Sequence, residues 1–288
     1  MALPRRITRA VAESLSAQDV ARLSAIADRE AGISLGETKT DFLTARLSRR
    51  LQELELGSYS DYCDLLERPD HAQELQQFLE AIATHTTSFF RERGHYDWLA
   101  SAGIEELGKT GAGTRRDLTF WSAACSSGQE LYTAMIVADQ VGRTKVKGLR
   151  FRGVGTDLSR EMISAANRAV YSSTEVSGIP GELRKNVLLS SKSGDGRCRI
   201  APALRERTEW RLANLTKPAT LTGIAADVAF LRNVLIYFDD ETQARVIGNV
   251  LAQLRPGGYL MTGHSETALA RKCGLTVLSP TIYRKDVP

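Results

Sequence analysis

Apolar residues recur at helical spacing through the first 80 positions. Ser16 followed by Asp19 has the form of a helix N-cap with an acidic third residue. Val20, Leu23, Ile26 and Ala27 carry the stripe onward, and Gly32 ends it. Phe42, Leu43, Leu47, Leu51 and Leu54 predict a second amphipathic helix, closed by Gly57. Tyr62, Leu65 and Leu66 predict a short third helix before Pro69. Leu75, Phe78, Leu79 and Ile82 mark a fourth. Residues 1–80 therefore read as an all-helical N-terminal domain.

The rhythm changes after the glycine-rich stretch 108–114, which reads as a connection. Strands are expected at Leu118–Ser122, Phe151–Gly155, Asp227–Leu231 and Tyr259–Thr262. Helices are expected at Gln129–Gln140, Arg160–Val170 and Glu241–Leu254, and Leu275–Arg284 is strand-like. Strands alternating with helices imply a parallel, doubly wound α/β sheet over residues 81–288. A segment at about 186–210 interrupts the alternation. Its turn, Ser193-Gly-Asp-Gly196, predicts a small inserted antiparallel β-subdomain.

Composition adds exclusions. The chain has 288 residues, 42% hydrophobic and 25% charged, which excludes a mainly disordered, collagen-like or coiled-coil protein. No apolar run approaches the roughly 18 residues that span a bilayer. Arg5, Arg6 and Arg9 precede no apolar stretch, so a signal peptide is not expected and a cytoplasmic location is. Cys63, Cys125, Cys198 and Cys273 form no CxxC pair, and with four histidines they show no metal-ligand spacing. They read as reduced thiols, and no metal is expected. The net charge of +4 makes no case for nucleic acid. Its distribution is uneven. Residues 1–50 carry nine basic and six acidic groups, residues 51–80 one and eight, and residues 184–211 eight and three. That pattern admits an acidic protein partner as well as a merely solvated surface.

Ligands of a doubly wound sheet sit beyond the carboxyl ends of its strands. The first such end is Trp121-Ser-Ala-Ala-Cys-Ser-Ser-Gly-Gln-Glu130, rich in small residues that admit a close ligand. The second strand leads to Asp157, placed where an acidic side chain accepts from ribose hydroxyls. The loop lacks GxGxxG, which disfavours a dinucleotide and a nicotinamide oxidoreductase. Lys109 and Thr110 follow Gly108, but the first glycine of a P-loop is missing. A nucleoside without a pyrophosphate fits better. Asp157 as a helix N-cap and Glu130 as a helix-dipole partner are equally open readings.

Six blocks, in order, resemble the chemotaxis receptor methyltransferases, the CheR family. They are Thr84-His-Thr-Thr-Ser-Phe-Phe-Arg91, Trp121–Tyr132, Gly155-Thr-Asp157, Leu231-Arg-Asn-Val-Leu-Ile-Tyr-Phe238, Leu254-Arg-Pro-Gly-Gly-Tyr-Leu260 and Gly263-His-Ser-Glu266. Arg46-Leu-Ser-Arg-Arg50 resembles the family's basic second helix. The likeness spans the chain. It implies a Rossmann-like domain that uses S-adenosylmethionine and methylates glutamate side chains of methyl-accepting chemotaxis receptors, giving glutamyl methyl esters. The enzyme would meet the membrane only through the receptor, with no nucleic acid involved; the sequence carries no oligomeric signal, and a monomer is the default expectation. Thr87 and Arg91 would contact the methionine part of the cofactor or flank its methyl group. Glu130 would bind the amino group, Asp157 the ribose, and Asn214 and Leu215 the adenine. Arg232 and Asn233 would lie beside the cofactor, and Tyr237 near the methyl group. Arg91 and Tyr237 are the expected catalytic residues. His85 stands where the family has asparagine, among the expected cofactor contacts. Lys39, Arg46, Arg49 and Arg50 would dock the acidic receptor helix. His264 reads as structural, because a carboxylate needs no general base. The inserted subdomain resembles one that tethers a receptor peptide in some members, and its short turn suggests a member without that need. A regulator that binds the cofactor without turnover and a small-molecule methyltransferase remain as rivals. The intact Arg91 and Tyr237 disfavour the first, the basic helical domain and the insert the second.

Overall fold

In the computed structural model, residues 14–35, 40–191, 194–266 and 275–287 are described. The chain divides between Ala83 and Thr84 into two compact units. Among the described residues, no helix is long and apolar enough to cross a membrane.

The first unit is helical: α1 Ala17–Ala31, α2 Thr40–Glu53, α3 Tyr59–Leu66 and α4 Ala72–Ile82. The Ser16 hydroxyl accepts from the Asp19 amide at 3.1 Å, and Asp19 accepts from the Ser16 amide at 3.3 Å. This capping box satisfies two amides that helix geometry leaves unpaired. Gly32 ends α1 with φ 69°, a left-handed turn that glycine adopts without strain. Leu23, Ile26, Leu43, Leu47, Tyr62 and Phe78 fill the core. Tyr62 meets Phe78 edge to face at 6.3 Å.

Arg50 departs from the expected docking face. Its Nε donates to both oxygens of buried Glu74, at 2.9 and 3.1 Å, and its Nη2 closes the fork. Tyr62 donates to the same carboxylate at 2.9 Å. A carboxylate buried between helices needs a cation, and Arg50 is the one at hand. Arg46 and Arg49 stay outside. Arg46 lies over the Phe42 ring at 5.4 Å, and Arg49, 88% exposed, pairs with Glu53 at 2.9 Å. Lys39 lies outside the described residues.

The second unit holds a seven-stranded sheet. Its strands are β1 Leu118–Ala123, β2 Phe151–Asp157, β6 Thr208–Leu212, β7 Ala226–Leu231, β8 Leu254–Thr262, β9 Thr276–Ser279 and β10 Ile282–Arg284. Their order is β6-β2-β1-β7-β8-β10-β9. The first five are parallel and the last two antiparallel. The expected parallel, doubly wound sheet is thus present, with antiparallel pairings added at one edge. Only Pro280 and Thr281 separate β9 from β10, too few residues for a parallel crossover. Helices α7 Gln129–Thr144, α8 Arg160–Arg168 and α11 Asp240–Gln253 alternate with the strands. Two short helices, α5 Gly94–Trp98 and α6 Ile104–Lys109, flank a wider helical turn at Leu99–Gly103.

A separate three-stranded antiparallel sheet joins β3 Val170–Ser172, β4 Leu188–Ser190 and β5 Arg197–Ile200, in the order β3-β5-β4. Helix α9 Gly181–Val187 lies before β4, and α10 Pro202–Arg205 after β5. The expected antiparallel hairpin is present, β4 pairing with β5, but its sheet has other bounds. Val170–Ser172 joins the small sheet, while Thr208–Leu212 leaves it to become an edge strand of the large one. Gly155 explains the second change. It pairs with Trp210, and a Cβ there would meet the indole at 2.3 Å. The bare backbone of β2 leaves the space that the Trp210 ring fills.

Candidate active site

Five parallel strands bring five carboxyl ends to one edge: Ala123, Asp157, Leu212, Leu231 and Thr262. The segment from His85 to Glu92 runs past these ends. The Ser126 hydroxyl donates to the His85 carbonyl at 2.8 Å, the Phe90 amide to the Thr133 hydroxyl at 3.2 Å, and Arg232 to the Arg91 carbonyl at 2.6 Å. Of the nine non-glycine residues with positive φ among those described, five lie here: Phe90, Glu92, Ala124, Ser126 and Asn233. Such strain persists only where the surroundings enforce it, and it concentrates at functional sites.

Asp157 closes β2 and is buried. Its oxygens accept from the Ser126 amide at 2.8 Å and the Ser159 amide at 2.9 Å. Burial pushes its carboxyl up, and those amides, together with nearby His85, pull it back. Glu130 lies in the first turn of α7. It accepts from the Ser122 hydroxyl at 2.7 Å and from Arg232 at 2.9 Å. Burial pushes its carboxyl up, against the pull of the Arg232 guanidinium and the Ser122 hydroxyl.

Arg232 is the hub. Its side chain is 1% exposed and touches Glu130 at 2.9 Å, Glu92 at 3.2 Å and the Tyr96 hydroxyl at 3.2 Å. It thus carries the ion pairs of both Glu92 and Glu130. The Arg91 guanidinium donates to the Thr86 carbonyl at 2.9 Å and has no carboxylate partner among the described residues. Thr87 and His85 are half-buried in the same segment, and Tyr237 is half-buried in the helical turn Leu235–Tyr237. Asn214 follows β6, and its side-chain oxygen accepts from the Thr216 amide at 2.9 Å. Leu215 is buried, its carbonyl held by Asn249 at 2.8 Å. His264 is 73% exposed, its Nε2 3.9 Å from Glu92, which places it outside the core.

Two residues with no expected role emerge. Glu266 accepts backbone amides from the loops after β7 and β8. His95 lies beneath Glu92, its Nε2 2.6 Å from the Thr281 hydroxyl, and its Nδ1 is buried without a hydrogen bond. Burial, reinforced by Arg232, pulls His95 down to about 4. The neutral ring is therefore the folded form. Its contribution is complete above pH 6.5 and is lost as pH falls from 6.5 to about 4, by about 3 kcal/mol in total. Urea unfolding across that range is expected to show the loss. His95→Gln should show a shallower decline; equal slopes would assign the decline to other groups.

The donor set fits S-adenosylmethionine. That molecule presents an ammonium, a ribose diol and an adenine. Glu130, in the first turn of α7, and Asp157, at the end of β2, are carboxylate acceptors, and the Glu130 oxygens each keep a second lone pair. Between them runs the turn through Ala124, Ser126 and Gly128, all at positive φ, and Leu215 is apolar and buried.

A parallel sheet with this acidic pair at its carboxyl edge suits a nucleoside ligand, and a family match makes the class an S-adenosylmethionine-dependent methyltransferase. Residues 85–282 match the family model described as CheR methyltransferase, SAM binding domain, and residues 18–83 match the CheR methyltransferase all-alpha domain. The chain belongs to the CheR methyltransferase family. It is 36% identical over 259 residues to "Chemotaxis protein methyltransferase 2" of Pseudomonas aeruginosa, covering 88% of this chain and 89% of that one. It is 32% identical to the chemotaxis protein methyltransferase of Escherichia coli, covering 94% and 91%. It is 27% identical to that of Borreliella burgdorferi, covering 95% and 96%.

Proposed function

We propose that this enzyme methylates glutamate side chains on the cytoplasmic helices of chemoreceptors, giving glutamyl methyl esters for sensory adaptation. One observation carries the reading. Among the described residues, Arg91 has no carboxylate partner, at a site where the neighbouring Arg232 is already neutralised by two carboxylates. A carboxylate substrate is the ligand that such a cation recognises.

The bound cofactor supplies an electrophilic methyl group on a sulfonium. The residues proposed to hold it are Glu130 at the amino group, Asp157 at the ribose, Asn214 and Leu215 at the adenine, with His85, Thr87, Arg232 and Asn233 beside it. A glutamate with a pKa near 4.3 is already a carboxylate at neutral pH, so no general base is needed. The protein's task is positioning. Arg91 orients one carboxylate oxygen, and Tyr237 directs the other or excludes water. Holding the acceptor in line with the methyl group supplies several kcal/mol. Arg91 must not grip the ground state tightly, because uniform binding adds nothing to the chemical step.

Recognition of the receptor is assigned to α2. Arg46 and Arg49 are three residues apart, exposed, and share a face. With Lys39 they would meet an acidic receptor helix. Reversing both charges, Arg46→Glu with Arg49→Glu, is expected to raise the KM for receptor about tenfold at low salt and to flatten its salt dependence. An unchanged KM would reject this docking face. Arg50 is left out of the test because reversing it would strand Glu74. The enzyme is proposed to act as a cytoplasmic monomer.

The chemistry is tested with methyl-labelled S-adenosylmethionine and receptor-containing membranes from the same source. Label released as methanol by mild base identifies a carboxyl methyl ester. Label that stays with the protein through base would exclude one. Cofactor binding with no transfer would favour a regulatory role.

A further inference from the structure

One carboxylate joins the loops that follow β7 and β8. Glu266 is 4% exposed. Its Oε2 accepts from the amides of Gly263 at 2.7 Å and Asn233 at 2.9 Å. Its Oε1 accepts from the amides of Val234 and Leu235, both at 2.9 Å. Four backbone donors thus use the four acceptor positions of one carboxylate. Three of them are consecutive, and they open the helical turn Leu235–Tyr237, which has no side-chain cap of its own residues.

The turn needs such a partner. Asn233 is held at φ 56°, a left-handed conformation that relaxes unless its surroundings enforce it. The second loop is fitted closely against it. A Cβ at Gly263 would stand 2.7 Å from the Glu266 carboxylate and 2.9 Å from the Asn233 side-chain nitrogen. The adjoining strand ends are already registered, Leu231 opposite Thr262. What the strands leave free is the path of the chain beyond them, and Glu266 specifies it.

We infer that Glu266 is a positioning residue for methyl transfer, whose carboxylate clamps the Arg232–Tyr237 turn so that Asn233 and Tyr237 face the site. The inference rests on the roles proposed above for those two side chains. Glu266 itself touches neither reactant. Its acceptors are spent on backbone.

Glu266→Gln tests the clamp. The amide keeps the shape but turns an NH2 donor towards two of the four backbone donors. Hydrogen exchange at Asn233–Leu235 is expected to quicken about 100-fold, while the amides within β7 and β8 keep their protection. The kcat for receptor methylation is expected to fall about 100-fold, with KM within about threefold. Gly263→Ala leaves the carboxylate in place but crowds the clamp, and the same pattern is expected. Unchanged exchange in both variants overturns the clamp. Faster exchange with unchanged kcat overturns the positioning role. Faster exchange spread through β7 and β8 also overturns it, since Glu266 would then serve the fold at large. The exchange measurement requires neither receptor nor cofactor, so a wild-type protein without turnover would count against the proposed function and not against the clamp.

Discussion

Arg91→Ala is expected to lower kcat by about 100- to 1,000-fold while changing the dissociation constant for S-adenosylmethionine by no more than about threefold. The split follows from where the guanidinium stands. Its hydrogen bond within the protein is to the Thr86 carbonyl, and Glu130 and Glu92 are paired with Arg232 instead. Removing Arg91 therefore leaves no buried anion unpaired, and the fold should tolerate the change. On the role proposed for it, what is lost is a cation facing the acceptor, so the effect is expected in the chemical step. Calorimetric titration of the cofactor beside single-turnover methylation separates the two quantities. Equal losses in both would make Arg91 a cofactor ligand and end its orienting role.

Arg232→Met should do the opposite. It is expected to destabilise the second unit by about 3–5 kcal/mol, because removing one partner of a buried ion pair leaves charge without compensation. In a unit of this size the melting temperature should fall by about 10 °C. Glu130 and Glu92 lose their shared cation, the Arg91 carbonyl loses its donor, and Tyr96 loses its hydroxyl contact. The pH dependence identifies the cause. Burial already pushes the Glu130 carboxyl up, and loss of Arg232 pushes it further. Protonating it removes the stranded charge, so the gap between variant and wild type should narrow from pH 8 to pH 5. A gap independent of pH would mean that lost packing, and not stranded charge, causes the destabilisation.

The helices of the first unit were legible because helical spacing and capping chemistry are local. Ser16, Asp19 and Gly32 sit within one helix, and each acts on its immediate neighbours. The parallel strands were legible for a similar reason, each being a short buried run between turns. Thr208–Leu212 was not. Its alternation of charged and apolar residues suits a hairpin flank as well as a sheet edge. What decides is space beside Gly155, 55 residues away from Trp210. The role of Arg50 was hidden likewise, because the carboxylate that claims it lies on another helix. At the site, single residues at strand ends could be named from the family resemblance. Their wiring could not. That Arg232 and not Arg91 neutralises Glu130 depends on which guanidinium the fold buries. Glu266 stood in view within Gly-His-Ser-Glu, yet nothing in the string shows four amides turning towards it.

The packing of Trp210 has a consequence for how this chain can change over generations. Its indole fills the volume that side chains at Gly128 and Gly155 would otherwise occupy. Gly128 also holds φ 95°, a second barrier to replacement. The three positions lie on the cofactor loop, the second strand and the edge strand. None of them is free to drift alone. A smaller residue at 210 opens a void beneath the loop, and a larger one at 155 evicts the ring. Replacing any one of the three is therefore expected to need compensation at another to keep the loop's shape.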